Sequence, residues 1–146
     1  MKAFVVLLAF VGLTAAAQAQ DGVPDLKGTW SGKGKSIVFG HNQYHPGQQT
    51  TNEPPRVGEI EVIYTVGGQD GRLVWGHAFS SAADTKEPFA WAIASDNKTI
   101  VGSDMDGSYL ITVLGPDRME KCYTHNGMSP SKSIVAGCQI VERAKK

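Results

Sequence analysis

Along the chain, apolar, β-branched and aromatic residues fall in short runs separated by clusters rich in Gly, Asp, Asn and Pro. This punctuation predicts eight strands, over 27–39, 58–66, 72–79, 89–94, 98–104, 108–114, 118–125 and 133–142. The connections carry turn chemistry: Gly67-Gly68-Gln69-Asp70-Gly71, Ser95-Asp96-Asn97, Asp106-Gly107 and Gly115-Pro116-Asp117. Such residues supply the backbone angles of tight turns. The seven prolines, at 24, 46, 54, 55, 88, 116 and 130, are expected outside strand interiors, because proline gives no N–H to a ladder. After residue 20 no window holds a helical period over three turns. Consecutive hairpins predict an all-β protein: an eight-stranded antiparallel up-and-down (meander) β-barrel, with a β-sandwich as the alternative. Closure into a barrel removes exposed edges and leaves an interior that side chains or one small ligand can fill.

The first twenty residues follow a different rule. Lys2 is the only charge before Asp21, an apolar run covers 3–13, and Thr14-Ala15-Ala16-Ala17-Gln18-Ala19 follows. This is the layout of a secretory signal peptide, cut after Ala19 or, alternatively, after Ala17. The run is shorter than the roughly 20 residues of a membrane span. We therefore expect a signal peptide over 1–19 and a single β-barrel domain over 20–146, in a secreted or periplasmic protein with no membrane span.

The compartment bears on the cysteines. Cys122 and Cys138, sixteen apart, fall on the last two predicted strands. In an oxidising compartment a disulfide between them is the expectation. A redox-active pair would need a Cys-x-x-Cys spacing, which is absent. Across the 146 residues, 14 Lys and Arg balance 14 Asp and Glu. That balance removes the basic surplus expected of a nucleic-acid partner.

One stretch breaks the rhythm. Residues 40–56 read GHNQYHPGQQTTNEPPR, with Tyr44 as the one large apolar side chain. A polar connection of this length is more often functional or disordered than incidental. It could cover a ligand in the barrel or serve as a contact surface for a protein.

Gly28-Thr29-Trp30 opens the first strand. A Gly-x-Trp there, in an eight-stranded secreted β-protein, resembles the calycin superfamily, the lipocalins and avidins. The resemblance implies that Trp30 closes one end of the barrel, with Gly28 letting it pack against backbone. It covers the architecture of roughly residues 26–142, with Gly28 and Trp30 as its motif positions. A lipocalin runs longer and adds a C-terminal helix, which this sequence lacks. Avidins place polar ligand contacts two and six residues after the motif Trp, positions held here by Gly32 and Ser36. Only Ser36 keeps a polar side chain, and no Trp follows Trp91, so biotin binding is not carried over.

Strand alternation places Trp75 with Phe79, and Phe89 with Trp91, on shared faces, and Tyr109 with Ile111 and Val113. With Ser36 and the loop residue Tyr44, these aromatic residues are the candidate ligand-binding set: Ser36, Tyr44, Trp75, Phe79, Phe89, Trp91 and Tyr109. The same rings would equally make a packed core. For metals, His41 and His45 could join His77 or His125, although solvated histidines account for all four. Asp96, Asp104, Asp106 and Asp117 fall at turns; Asp104-Met105-Asp106-Gly107 lacks the further ligands of a calcium loop. No nucleophile elbow and no phosphate-binding glycine loop is present. The reading is a small-ligand-binding barrel without catalytic activity, metal or cofactor, taking a small hydrophobic or aromatic molecule. The alternative is a protein-binding module, an inhibitor or envelope-associated protein, acting through 40–56. Homo-oligomer formation is left open.

Overall fold

The computed structural model describes residues 22–41, 44–45, 53–126 and 133–145. The signal-peptide reading of 1–19 lies outside these residues, as does much of the 40–56 segment. Eight strands run in chain order: β1 (Gly28–Phe39), β2 (Arg56–Asp70), β3 (Leu73–Ser80), β4 (Ala83–Ile93), β5 (Thr99–Ser103), β6 (Ser108–Gly115), β7 (Arg118–Asn126) and β8 (Ile134–Arg143). Each pairs antiparallel with the next, and β1 pairs with β8, so the sheet closes into an up-and-down barrel. The sandwich alternative is thereby excluded.

Alternation sorts the side chains. Trp30, Tyr64, Val74, Trp91, Ile100, Ile111, Met119 and Val141 point inward and are almost wholly buried. Their outward neighbours Lys33, Glu59, Glu61 and Glu120 meet solvent. Cys122 and Cys138 are register partners on the outer side of β7 and β8, with Cα atoms 4.1 Å apart, and they form the expected disulfide.

Trp30 is fully buried and closes one end. Its Nε1 donates to Leu26 O at 2.8 Å. The Arg143 guanidinium caps the ring from the far side, 4.1 Å from its centroid. That guanidinium also donates to the carbonyls of Lys27, Asp25 and Pro116 and to Asp117 Oδ1, tying the entry of β1 to the β6–β7 turn. Gly28 adopts φ +120°, a conformation closed to residues with a Cβ, so the first position of Gly-x-Trp answers a backbone need.

The sequence reading needs three corrections. The turn predicted over 67–71 belongs mostly to β2, which continues to Asp70 through a bulge between Val66 and Gly68; the turn itself is Gly71–Arg72. Gln69 is used as a latch: its Oε1 accepts from Leu26 N, and its Nε2 donates to Pro24 O. Second, β4 begins at Ala83 rather than near residue 89. Its early part is polar, and pairing with β3 makes it a strand despite that. Third, Pro88 consequently lies inside a strand, opposite His77. It is tolerated because β4 first meets β5 at Ala90, so its missing donor falls where β4 has one neighbour rather than two.

Candidate functional site

At the end opposite Trp30, the described residues 44–45, 81–82 and 104–107 meet, and the inward positions change character. Ser36, Glu87, Lys121 and Gln139 stand where the other end has Trp30, Ile93, Met119 and Val141. They line a cavity together with Tyr64, Tyr109 and Tyr123. The space left to the centres of water-sized molecules is about 60 Å³. One water needs about 10–15 Å³ by this measure, and drug-sized sites run to about 300–1,000 Å³. The cavity therefore suits a few waters or one small organic molecule. Beneath it, Phe89 stacks on Trp91 at 4.1 Å between centroids, and Tyr64 meets both rings edge-on or tilted. The barrel is packed below the cavity.

Two polar side chains of the lining are buried with few partners among the described residues: Lys121, which meets aromatic rings, and Gln139, whose amide has no hydrogen bond. Lys121, on β7 between the inward-facing Met119 and Tyr123, is 3% exposed. Its Nζ lies 5.7 Å from the Tyr64 ring centroid and 5.6 Å from that of Tyr123. Burial draws the amine down to about 8, against a smaller opposing pull from Asp104. Gln139, on β8, is 5% exposed, and neither its Oε1 nor its Nε2 has a hydrogen-bond partner among the described residues. Leaving buried polar groups unpaired costs about 1–3 kcal/mol each.

A carboxylate cluster sits at the rim. Glu87, Asp104 and Asp106 each bring a carboxylate oxygen within 4.8 Å of the others. Asp104 Oδ1 accepts from Gly107 N at 2.7 Å, and its Oδ2 accepts from Tyr109 Oη at 2.5 Å. Tyr123 Oη donates to Asp106 Oδ1 at 2.8 Å. Glu87 Oε1 accepts from Met105 N at 2.8 Å. Burial, then the charges of Asp104 and Asp106, push the Glu87 carboxyl up to about 8, so it is protonated at neutral pH. Burial pushes Asp106 up too, but hydrogen bonds from His45 and Tyr123 bring it below its usual range. Desolvation raises Tyr64, Tyr109 and Tyr123 far above ordinary phenols, so all three are neutral donors. The cluster is thus held by tyrosines and turn amides and by one retained proton, the arrangement of a self-satisfied rim. Gly107 is required there, since a Cβ would overlap the Tyr123 ring.

The structure disperses the sequence-predicted set. Ser36, Tyr44, Phe79 and Tyr109 line the cavity. Phe89 and Trp91 lie in the packed layer below it. Trp75 is on the outer face, half exposed, its indole covering the backbone of Gly68 at the bulge. Of the histidines, His41 and His77 are exposed, while His45 and His125 meet at the rim with ring centroids 5.5 Å apart, either side of Asp106. His125 Nδ1 is engaged by the carbonyl of Asp106. Sequence reasoning missed Glu87, Lys121 and Gln139. Alternation carried the signal: Lys121 falls between Met119 and Tyr123, and Gln139 two residues before Val141.

Fold and site together define a closed meander barrel with a small polar cavity at one end. No protein-family model matches the chain, and no curated protein matches it. One similar solved structure is an S-type phycobiliprotein lyase from Guillardia theta. It is 13% identical, with a TM-score of 0.36, over 83% of this chain and 89% of that one. A likeness of that size assigns neither ligand nor reaction here. The expectation of a protein without catalytic activity is nevertheless corrected. The similar chain is by name a lyase, an enzyme. The cavity also holds an amine and a carboxyl whose pKa values lie near neutrality.

Proposed function

We propose that this is a secreted or periplasmic barrel that binds one small organic molecule at the end opposite Trp30. The ligand has a compact apolar or aromatic body and a polar head. Lys121 and Gln139 reach the head; the rings of Tyr64, Tyr109 and Tyr123 flank the body. The observation that carries this reading is the buried, inward-facing Gln139 amide, which has no hydrogen bond among the described residues, in one cavity with the buried amine of Lys121. A fold selected for stability alone would place apolar groups there, as it does at the other end. The closed meander and the Gly28-x-Trp30 closure support a calycin-like reading of the scaffold. The disulfide is in keeping with an oxidising compartment.

Native mass spectrometry of the protein from its host's secreted or periplasmic fraction tests this. We expect an extra non-covalent mass of small-molecule size, lost on denaturation, and reduced occupancy in Gln139→Leu. A bare mass, together with no quenching of tryptophan fluorescence by any small aromatic compound tried, would overturn the proposal.

A further inference from the structure

We propose that Lys121 forms a reversible covalent imine with a small aldehyde or ketone held in the cavity. This rests on the ligand-binding reading above and names the chemical class of ligand.

Position is the first argument. Among the described residues Lys121 is the one buried lysine; Lys27, Lys33, Lys35, Lys86, Lys98 and Lys145 are all exposed. Among the described residues its ammonium finds no carboxylate within ion-pair distance, and it lies against two aromatic rings. A lysine meant to stabilise the barrel would be paired; one meant to attack a carbonyl must have a free electron pair. Burial supplies that pair. With its pKa drawn to about 8, roughly a tenth of the amine is neutral at pH 7, against well under a thousandth for an ordinary surface lysine. Desolvation of this kind is a general way to make lysine a nucleophile.

The cavity contains the other parts the reaction needs. The Nζ electron pair adds to the carbonyl carbon, and the carbonyl oxygen takes a proton to become a hydroxyl. That hydroxyl then leaves as water while the C=N bond forms. The balance is one aldehyde and one amine giving one imine and one water, with no oxidant or reductant. Glu87, which lines the same cavity from β4 and is protonated at neutral pH, is the acid that can give a proton to the departing hydroxyl and recover the one lost from nitrogen. Asp104 and the faces of Tyr64 and Tyr123 favour the positive charge of the protonated imine. A cavity of about 60 Å³ limits the carbonyl compound to a few non-hydrogen atoms.

The test treats the folded protein with propanal and cyanoborohydride, which reduces an imine to a stable secondary amine. Intact mass and peptide mapping then locate the adduct. We expect a single propyl group on Lys121, formed roughly tenfold or more faster than on any exposed lysine, and absent from Lys121→Met. Mapping of the unmutated protein keeps the test independent of how that variant folds. Binding of propan-1-ol, which has the same skeleton but no carbonyl, is followed in parallel by amide chemical shifts of β7 and β8. If the alcohol perturbs those amides while propanal labels only exposed lysines, the imine fails and the binding site stands. If neither compound reaches the cavity, the binding reading fails with it.

Discussion

The two ends of the barrel share one backbone plan and opposite chemistry. Around Trp30 the inward side chains are apolar, and the indole N–H, the guanidinium of Arg143 and the amide of Gln69 all have partners. At the other end, four successive inward positions on β7, from Met119 to His125, pass from apolar to amine to phenol to imidazole. There Lys121 is buried against the Tyr64 and Tyr123 rings, and the buried Gln139 amide has no hydrogen bond among the described residues. Hydrogen bonding to neighbours makes the first end a plug; at the second end the rim is bonded to itself while the Gln139 amide below it is left unbonded among the described residues. The comparison teaches that apolar packing and buried polar chemistry are divided along the barrel axis, within single strands.

This division can be broken at its strongest point first. Trp30→Ala removes the plug and is expected to destabilise by about 3–5 kcal/mol; urea unfolding that shifts by less than about 1 kcal/mol would contradict the assignment of that end. Removing the disulfide with Cys122→Ala and Cys138→Ala is expected to cost up to about 3 kcal/mol, from the chain entropy of a sixteen-residue loop. Because both cysteines face outward, ligand binding by the folded variant should not change.

Lys121→Met should act in the opposite sense, stabilising by about 2 kcal/mol, since a buried charge without a partner gives way to an apolar chain. The pH dependence sharpens this. The lysine titrates at about 8 when folded and at 10.5 in its ordinary state. Between those values the unfolded chain binds more protons, so the stability of the wild type rises with pH in that window. The Met variant should lose that rise. A variant no more stable than wild type at pH 7 would mean that the amine is compensated.

Glu87→Gln is a smaller and conditional effect. The folded carboxyl holds its proton up to about 8, against an ordinary 4.5. From 4.5 to 8 the folded state binds more protons, so the wild type loses stability as pH rises. The Gln variant, which cannot ionise, should match wild type near pH 5 and exceed it at pH 8 and above; thermal melts at the two pH values decide. Smallest of all, Trp75→Phe should leave ligand-induced quenching in place, because Trp75 is on the outer face, whereas Trp91→Phe should remove most of it.

Much of this was legible in the residues themselves. Period-two alternation and Asx-Gly turns carry strand count and order, because neighbouring strands joined by tight turns have little choice but to pair. The polar rim was not legible, for a specific reason. Glu87 lies in a stretch that reads as a loop, and Lys121 and Gln139 resemble solvent-facing residues by type. Only their spacing from Met119, Tyr123 and Val141 betrays them. Trp75 misled in the other direction: an aromatic residue in an apolar run reads as core, yet the bulge at Gly68 gave it an outer surface to cover.

By itself the sequence determined the all-β class, the eight strands in meander order, the plugging Trp30 and the pairing of Cys122 with Cys138. These depend on local backbone preference and on contacts between strands adjacent in the chain. Tertiary structure alone decided which face of each strand turned inward where both were apolar, as in β3, and which polar groups were trapped inside. It also brought His45, Glu87, Asp104 and Tyr123 to one rim from four separate segments. Barrel closure is the cause. When β1 meets β8, every inward side chain is committed to a single enclosed volume, and only there does a lysine of ordinary sequence context become a buried amine in one cavity with a protonated carboxyl.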